Sequence, residues 1–199
     1  MSISAEQVKE LRDRSGVGMM DCKKALLESD GSLDKAFDYL RKAGIAKAQK
    51  KAGRSAKEGN VIAYIHPGSK LGVLLEINCE TDFVANTDDF KQLAKDIAMH
   101  VAAANPISVT ADELSEDVVN KEKEIYLEQA KQQNKPANIL EKMVDGRMKK
   151  FYKENVLLDQ QFVKDSDKTI KDLITEAVGK LGENIIVSRF SRFQLGDKK

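Results

Sequence analysis

The sequence feature that most constrains the fold is a run of alternating apolar residues between residues 71 and 79. Five apolar side chains share one face of this run: Leu71, Val73, Leu75, Ile77 and Cys79. Successive residues of a strand point to opposite faces, so the alternation predicts a sheet with one buried side. The break "HPGSK" at residues 66–70 separates this run from a second strand-like run that begins near Asn60, which indicates a β-hairpin. Cys79 is expected to point inward, where a thiol usually behaves as a small hydrophobic group.

Helical periodicity dominates the rest of the chain. The first fifty residues are typical of three short helices, separated by "SGVG" at residues 15–18 and "SDGS" at residues 29–32. A helix with one apolar stripe follows the hairpin and ends at Asn105–Pro106. Its stripe consists of Phe90, Leu93, Ala94, Ile97, Ala98 and Val101. A last helix near residues 170–181 precedes a final strand near residues 184–196. These elements predict an α+β fold, a small antiparallel sheet covered by helices.

The predicted elements divide the chain into two domains. Residues 1–53 are expected to form a three-helix module with a thin core, and residues 54–199 an α+β core. A linker at about residues 45–59 is expected between them. Two charged helices on either side of "QQNKP", residues 132–136, predict an antiparallel helical hairpin over about residues 115–152 that projects from the body.

Composition mainly excludes classes of partner and compartment. Lys and Arg number 33 and Asp and Glu 32, so bulk charge gives no reason to expect nucleic acid or an anionic membrane as partner. No apolar run approaches the roughly 20 residues that span a bilayer. The polar N-terminus lacks the apolar centre of a secretory signal. Two cysteines are too few for a disulfide framework. A cytoplasmic protein with reduced thiols is therefore expected.

One basic segment, residues 47–59, leaves a nucleic-acid arm open as an alternative. No aromatic residue interleaves with its charges, and acidic residues are abundant elsewhere in the chain. These features favour a solvated linker helix.

Enzyme signatures are scarce. Gly16 and Gly18 form a Gly-x-Gly, but no strand precedes them and no Gly-Lys-Ser/Thr follows, so this is not a phosphate loop. Metal ligands normally occur in tight local pairs, whereas His66 and His100 are isolated, as structural histidines usually are. We therefore expect no metal site and no cofactor. An enzymatic alternative makes Cys79 a nucleophile assisted by His66 or His100, although its inward position argues against it.

The stretch "LRDRSGVGMMDCKKAL", residues 11–26, places Met19 and Met20 side by side after a glycine turn. A helix cannot bury two adjacent side chains equally on a narrow stripe, and methionine adapts well to binding surfaces. From the pattern alone, ordinary core packing is favoured and a partner contact is the alternative.

The stretch "EINCETDFVAN", residues 76–86, leads from the predicted strand into a helix. The pattern favours a structural role, with Thr81 or Asp82 as a helix cap and Phe83 as an anchor in the core. The alternative is an exposed Asp–Phe pair on a rigid corner that inserts between helices of a partner.

Together, these two stretches resemble the signatures of the translation elongation factor Ts family. The segments "DIAMHVAAANP" and "EKMVDGRMKKF" are also similar to family segments, and the resemblance covers essentially the whole chain. It implies a guanine-nucleotide exchange factor for elongation factor Tu, a GTPase that delivers aminoacyl-tRNA. Such a factor speeds GDP release, does no covalent chemistry and binds no nucleotide itself. An alternative is a regulatory adaptor that holds another partner through the three-helix unit.

The resemblance also implies the contact residues. The three-helix unit is similar to ubiquitin-associated modules and is expected to dock on the GTPase's nucleotide-binding domain. Asp82 and Phe83 match a pair that intrudes near the magnesium and phosphate site, and His100 matches a histidine used at the interface. The implied partner-binding residues are Arg12, Met19, Met20, Thr81, Asp82, Phe83, Val84 and His100.

The chain resembles the short form of the family, with one core module where longer members hold two. Short members act as homodimers, which implies a symmetric dimer through the sheet-bearing core and a complex of two factors with two GTPases. The C-terminal "RFSRFQLGDKK" has no cysteine, so a dimer contact there cannot be a disulfide.

Overall fold

The computed structural model describes residues 3–132 and 136–197, and it confirms the α+β class. The described residues form eight α-helices: α1 Ala5–Ser15, α2 Met19–Glu28, α3 Leu33–Lys51, α4 Asp82–Ala85, α5 Asp88–Ala104, α6 Glu116–Lys131, α7 Ala137–Asn155 and α8 Ile170–Leu181. They also form five strands: β1 Glu58–Ile65, β2 Leu71–Cys79, β3 Gln161–Phe162, β4 Asp165–Thr169 and β5 Ile186–Gln194. β1, β2 and β5 make a three-stranded sheet in the order β1-β2-β5, and β3 pairs with β4 in an antiparallel ladder. No helix among these residues is long and apolar enough to cross a membrane.

The chain groups into two compact units. The first comprises the described residues up to Asn60, Ile77–Ala94 and Asp172–Ile186. The second comprises Val61–Glu76, Lys95–Lys171 and the described residues from Val187 onward. The first unit therefore contains α1 to α4 and most of α8, and the second contains α6, α7 and most of the three-stranded sheet.

The three predicted N-terminal helices are confirmed. α1 begins with a capping box, in which the Gln7 backbone N–H donates to the Ser4 hydroxyl at 3.1 Å and the Ser4 N–H donates to the Gln7 side chain at 3.0 Å. It ends at Gly16, whose φ of 65° is the left-handed conformation that glycine adopts most easily. One small core holds the helices together: Val8, Leu11, Cys22, Ala25, Leu26, Ala36 and Leu40.

The predicted linker at residues 45–59 differs from the structure at both ends. α3 continues through Lys51 and β1 already begins at Glu58, so the basic segment is helical only in its first part. Two of its cations are paired: Lys47 lies 2.7 Å from Asp21, and Arg54 lies 3.6 Å from Glu80.

The hairpin and its alternation are confirmed. The His66 N–H donates to the Leu71 carbonyl at 2.9 Å and closes the turn between β1 and β2. Four of the five predicted side chains are buried and Leu71 is half-buried. Gly59 has a φ of 142°, and a Cβ there would lie 2.2 Å from the Ile77 carbonyl oxygen. Only glycine allows the two strands to approach so closely at this point.

The remaining predicted helices are confirmed as well. All six predicted stripe residues of α5 are buried. α6 and α7 pack against each other as a helical pair, while residues 133–135 of the predicted break lie outside the described residues. Met148 and Phe151 of α7 form a small buried cluster with Leu114 and Val156.

Candidate functional site

The corner between β2 and α4 is the clearest candidate site in the first unit. Thr81 has extended backbone dihedrals, φ −132° and ψ 154°, and its hydroxyl accepts from the Val84 N–H at 3.4 Å. The predicted cap is therefore Thr81. The helix is a single turn with Asn86 as its C-cap, and the Asn86 backbone N–H and side-chain amide both donate to the Asp82 carbonyl at 3.0 Å.

Phe83 points away from the core, so the role of core anchor that the local pattern favoured is wrong. Its side chain is 81% exposed, whereas Ala85 is buried. The cause is geometric: residues two positions apart lie about 200° apart around a helix, so burying Ala85 turns Phe83 outward. The Asn60 side-chain amide fixes that orientation by donating to the Ala85 carbonyl at 2.7 Å. Asp82 is also exposed beside Phe83. The corner thus presents an acid and an aromatic ring to solvent.

A carboxylate from a distant part of the chain holds this corner. The backbone N–H groups of Glu80 and Thr81 donate to Oε2 of Glu183 at 3.1 and 3.0 Å. The Thr81 hydroxyl donates to Oε1 of Glu183 at 2.6 Å. Sequence reasoning missed Glu183, because it stands 102 residues from Thr81 and no local pattern marks it.

A second exposed set lies at the start of α2. Met19 is 50% and Met20 79% exposed, so the prediction of ordinary core packing for this pair is wrong. The buried positions of α2 are taken by Cys22, Ala25 and Leu26. Arg12, on α1, is exposed as well. The described surface of the first unit therefore carries five of the eight implied contact residues in exposed positions, and Thr81 and Val84 are half-buried.

Comparison with known proteins identifies the family. Residues 42–197 match the family model described as Elongation factor TS. The chain belongs to the elongation factor Ts family. It is 58% identical over 197 residues to Elongation factor Ts of Fervidobacterium nodosum, covering 99% of this chain and 100% of that protein. It is 55% identical over 195 residues to Elongation factor Ts of Caldanaerobacter subterraneus subsp. tengcongensis, covering 98% of each. It is also 54% identical over 198 residues to that of Syntrophobacter fumaroxidans, covering 100% of this chain and 99% of that protein.

His100 of this elongation factor Ts chain is completely buried in the second unit. It was predicted as a partner contact, but none of its surface is exposed in the free chain, whereas the other implied contact residues are exposed or half-buried. Nδ1 accepts from the Val163 N–H at 3.3 Å, which places the ring proton on Nε2. Nε2 then donates to the Gln160 side-chain oxygen at 2.9 Å, and the Gln160 amide donates to the Glu154 carbonyl at 2.7 Å. His100 is a neutral, hydrogen-bonded core residue of the second unit.

This burial predicts a pH dependence of stability. Desolvation lowers the pKa of His100 below its ordinary value of 6.5. Below pH 6.5 the unfolded chain therefore binds a proton at this residue that the folded chain does not bind. The free energy of unfolding therefore decreases as the pH falls below 6.5, by at most about 1.4 kcal/mol per pH unit.

Urea unfolding at pH 7.5 and 5.5 measures this effect. In His100→Gln the difference in unfolding free energy between the two pH values is expected to shrink. In the matched variant His66→Gln, which removes an exposed histidine, it is expected to stay as in the parent chain. An undiminished difference in His100→Gln would contradict the assignment.

The enzymatic alternative finds no support at Cys79 in this elongation factor Ts chain. The thiol is buried and donates to the Thr81 carbonyl at 3.1 Å. Burial, reinforced by the charge of Glu183, raises the pKa of Cys79 above its ordinary value. Because the thiolate is the reactive form, this cysteine is a poor nucleophile. It serves as a packing residue beneath the corner.

Proposed function

We propose that this chain is a guanine-nucleotide exchange factor for elongation factor Tu in translation elongation. The observation that carries the proposal is the exposed Asp82–Phe83 pair on a hydrogen-bonded corner. An exposed aromatic ring on a rigid support loses little conformational entropy on binding and suits insertion between partner side chains. The acid beside it would disturb the charged surroundings of a magnesium ion in the GTPase. Thr81 and Val84 would complete the contact at its edge.

The proposed mechanism is thermodynamic linkage and includes no covalent step. Mg²⁺ bridges the nucleotide phosphates and the GTPase, so displacing its surroundings removes a large part of the nucleotide affinity. The factor needs only to bind the opened conformation of the GTPase more tightly than the closed one. Linkage then requires that GDP weakens binding of the factor by the same ratio by which the factor weakens binding of GDP. The nucleotide and metal belong to the partner, so the factor itself needs no cofactor, and it would act in the cytoplasm, where translation elongation takes place.

The direct test is the release of fluorescent GDP from elongation factor Tu with and without this chain. The proposal expects release to accelerate with factor concentration until it saturates. The adaptor alternative expects the release rate to stay at its spontaneous value even when the two proteins bind.

The three-helix module, residues 1–53, is proposed as the docking element. Its contact surface comprises Arg12, Met19 and Met20, all of which are exposed. Two methionines can adapt their shape to a partner, while Arg12 can pair with an acid.

Replacing Met20 with alanine is expected to weaken binding to elongation factor Tu about tenfold, because a well-exposed anchor side chain is lost. The maximal release rate at saturating factor should change little, since the corner is intact. Titrating the factor in the GDP-release assay separates the two quantities. Lys23→Ala, an exposed change on the same helix, is the matched control. An unchanged half-saturating concentration for Met20→Ala would remove the docking assignment.

The second unit is proposed to form a homodimer through the outer face of the three-stranded sheet. Four exposed apolar side chains line one shallow groove there: Ile65, Leu74, Phe193 and Leu195. Lys70 is the one charged residue among the described residues lining the groove. Monomeric proteins rarely leave such a continuous apolar surface uncovered. With the homodimers implied for short members of the family, these features support a second copy of the chain as the occupant, giving two factors for two GTPases.

A further inference from the structure

We propose that Glu183 is a positioning residue for nucleotide exchange, whose carboxylate fixes the Asp82–Phe83 corner in the orientation that the partner meets. This inference rests on the proposed exchange function and assigns a role to a residue that does not itself face the partner. It makes the activity of an exposed pair depend on a half-buried acid 102 residues away from Thr81.

One carboxylate, that of Glu183, accepts three hydrogen bonds at the corner. Oε2 receives two consecutive backbone N–H groups, and Oε1 receives the Thr81 hydroxyl at 2.6 Å. Hydrogen bonds to an ionised acceptor are roughly twice as strong as neutral ones. Because two successive peptide N–H groups aim at one atom, the chain direction entering α4 is fixed, and Phe83 follows directly from it.

The hydrogen bonds between the corner and residues 183–184 run in both directions. While Glu183 receives the N–H of Glu80, the Glu80 carboxylate receives the N–H of Asn184 at 2.7 Å. The Asn184 side chain donates to the Arg54 carbonyl at 2.8 Å, and the Arg54 guanidinium lies 3.6 Å from Glu80. The corner and residues 183–184 thus hold each other through both backbone and side chains.

Glu183 follows closely after the end of α8, which is itself held in place. The helix ends at Gly182, whose N–H donates to the Val178 carbonyl at 3.0 Å and whose φ is 80°. Lys180 lies 2.7 Å from Asp89, at the start of α5. A side chain at Gly179 would approach the Gly44 Cα of α3 to 3.1 Å, so the two helices touch backbone to backbone. Glu183 therefore extends from a fixed support.

The test compares Glu183→Ala with a matched control elsewhere in the chain. Glu113 makes the same kind of contact: it receives the Val109 N–H and the Thr110 hydroxyl, both at 3.1 Å. Stopped-flow release of fluorescent GDP from elongation factor Tu, over a range of factor concentrations, gives the limiting rate and the half-saturating concentration.

For Glu183→Ala we expect the limiting rate to fall about tenfold, since a misplaced group loses its effect steeply with distance. We expect the half-saturating concentration to shift less than about twofold, because Met20 and Arg12 still dock. Glu113→Ala should change neither.

A double variant separates positioning from general destabilisation. If Glu183 acts through the corner, Glu183→Ala should cause a much smaller further loss of rate in a chain that already carries Phe83→Ala than it causes in the parent chain. Additive losses, or an unchanged limiting rate in the single variant, would overturn the inference. Circular dichroism and urea unfolding establish that each variant is folded at the assay temperature. If Glu183→Ala does not fold, Glu183→Gln, which keeps the side-chain volume, replaces it. The limiting rate of GDP release is expected to fall in Glu183→Gln too, although by less. An unchanged limiting rate in Glu183→Gln would also overturn the inference.

The same data distinguish failure of the inference from failure of the proposed function. If Phe83→Ala releases GDP as fast as the parent chain, the proposed role of the corner is lost. If Phe83→Ala is slow and Glu183→Ala is not, only the positioning role is lost.

Discussion

Phe83→Ala is expected to slow the GDP release that the factor promotes by about thirtyfold or more, while its free energy of unfolding stays within about 0.5 kcal/mol of the parent chain. The slower GDP release and the unchanged free energy of unfolding have the same cause. The ring is 81% exposed, so the folded chain gains little from it, and its apolar area is available to a partner. Stopped-flow GDP release and urea unfolding of the same preparation measure both.

The matched control is a second phenylalanine of the same unit. Phe90 is fully buried at the start of α5, so Phe90→Ala should cost about 3–5 kcal/mol of stability. At temperatures where it is folded, it should release GDP near the parent rate, because it does not face the partner. An unfolded Phe83→Ala chain would restore the core-anchor interpretation, and a fast, folded one would end the proposed role of the corner.

Phe193→Asp is expected to raise the dimer dissociation constant at least about a hundredfold, because an unpaired carboxylate would be buried in an apolar interface. Phe193 is 58% exposed and lines the groove on the outer face of the sheet. Analytical ultracentrifugation should then give the 22.1 kDa monomer mass at concentrations where the parent chain gives twice that value.

Ile107→Asp is the control for this change. Ile107 is an equally exposed apolar residue of the second unit that does not line the groove, so the dimer should persist. A parent chain that sediments as a monomer, or a Phe193→Asp chain that remains a dimer, would exclude this face as the interface. A heterologous protein on the groove would then be the remaining occupant.

Local periodicity predicted most of the fold. The alternation of β2 and the stripe of α5 each repeat over enough residues for burial to leave a readable pattern, and both were confirmed. Thr81 or Asp82 was predicted as a cap from residue type and position, and it is the Thr81 hydroxyl that receives the Val84 N–H. Such features depend on neighbours within one turn or one strand, so the sequence contains their signal.

The site was less predictable, because its decisive contacts are not local. α4 has a single turn, too short to show which side is buried, and the pattern therefore misplaced Phe83 in the core. Glu183 meets Thr81 only after the chain has folded. His100 was carried over as a contact from the family segment, whereas the structure buries it and pairs it with Gln160, sixty positions along the chain. The exchange role itself came from resemblance to the family and not from periodicity.

The backbone contact between Gly44 and Gly179 has a consequence for how the chain can act. It joins α3, the last helix of the proposed docking module, to α8, which precedes Glu183. Glu183 in turn accepts hydrogen bonds from Glu80 and Thr81 at the corner. These contacts therefore fix the distance between Met20 on the proposed docking module and Phe83 on the corner. In the proposed exchange mechanism, the GTPase would therefore have to change its conformation to contact Met20 and Phe83 at the same time.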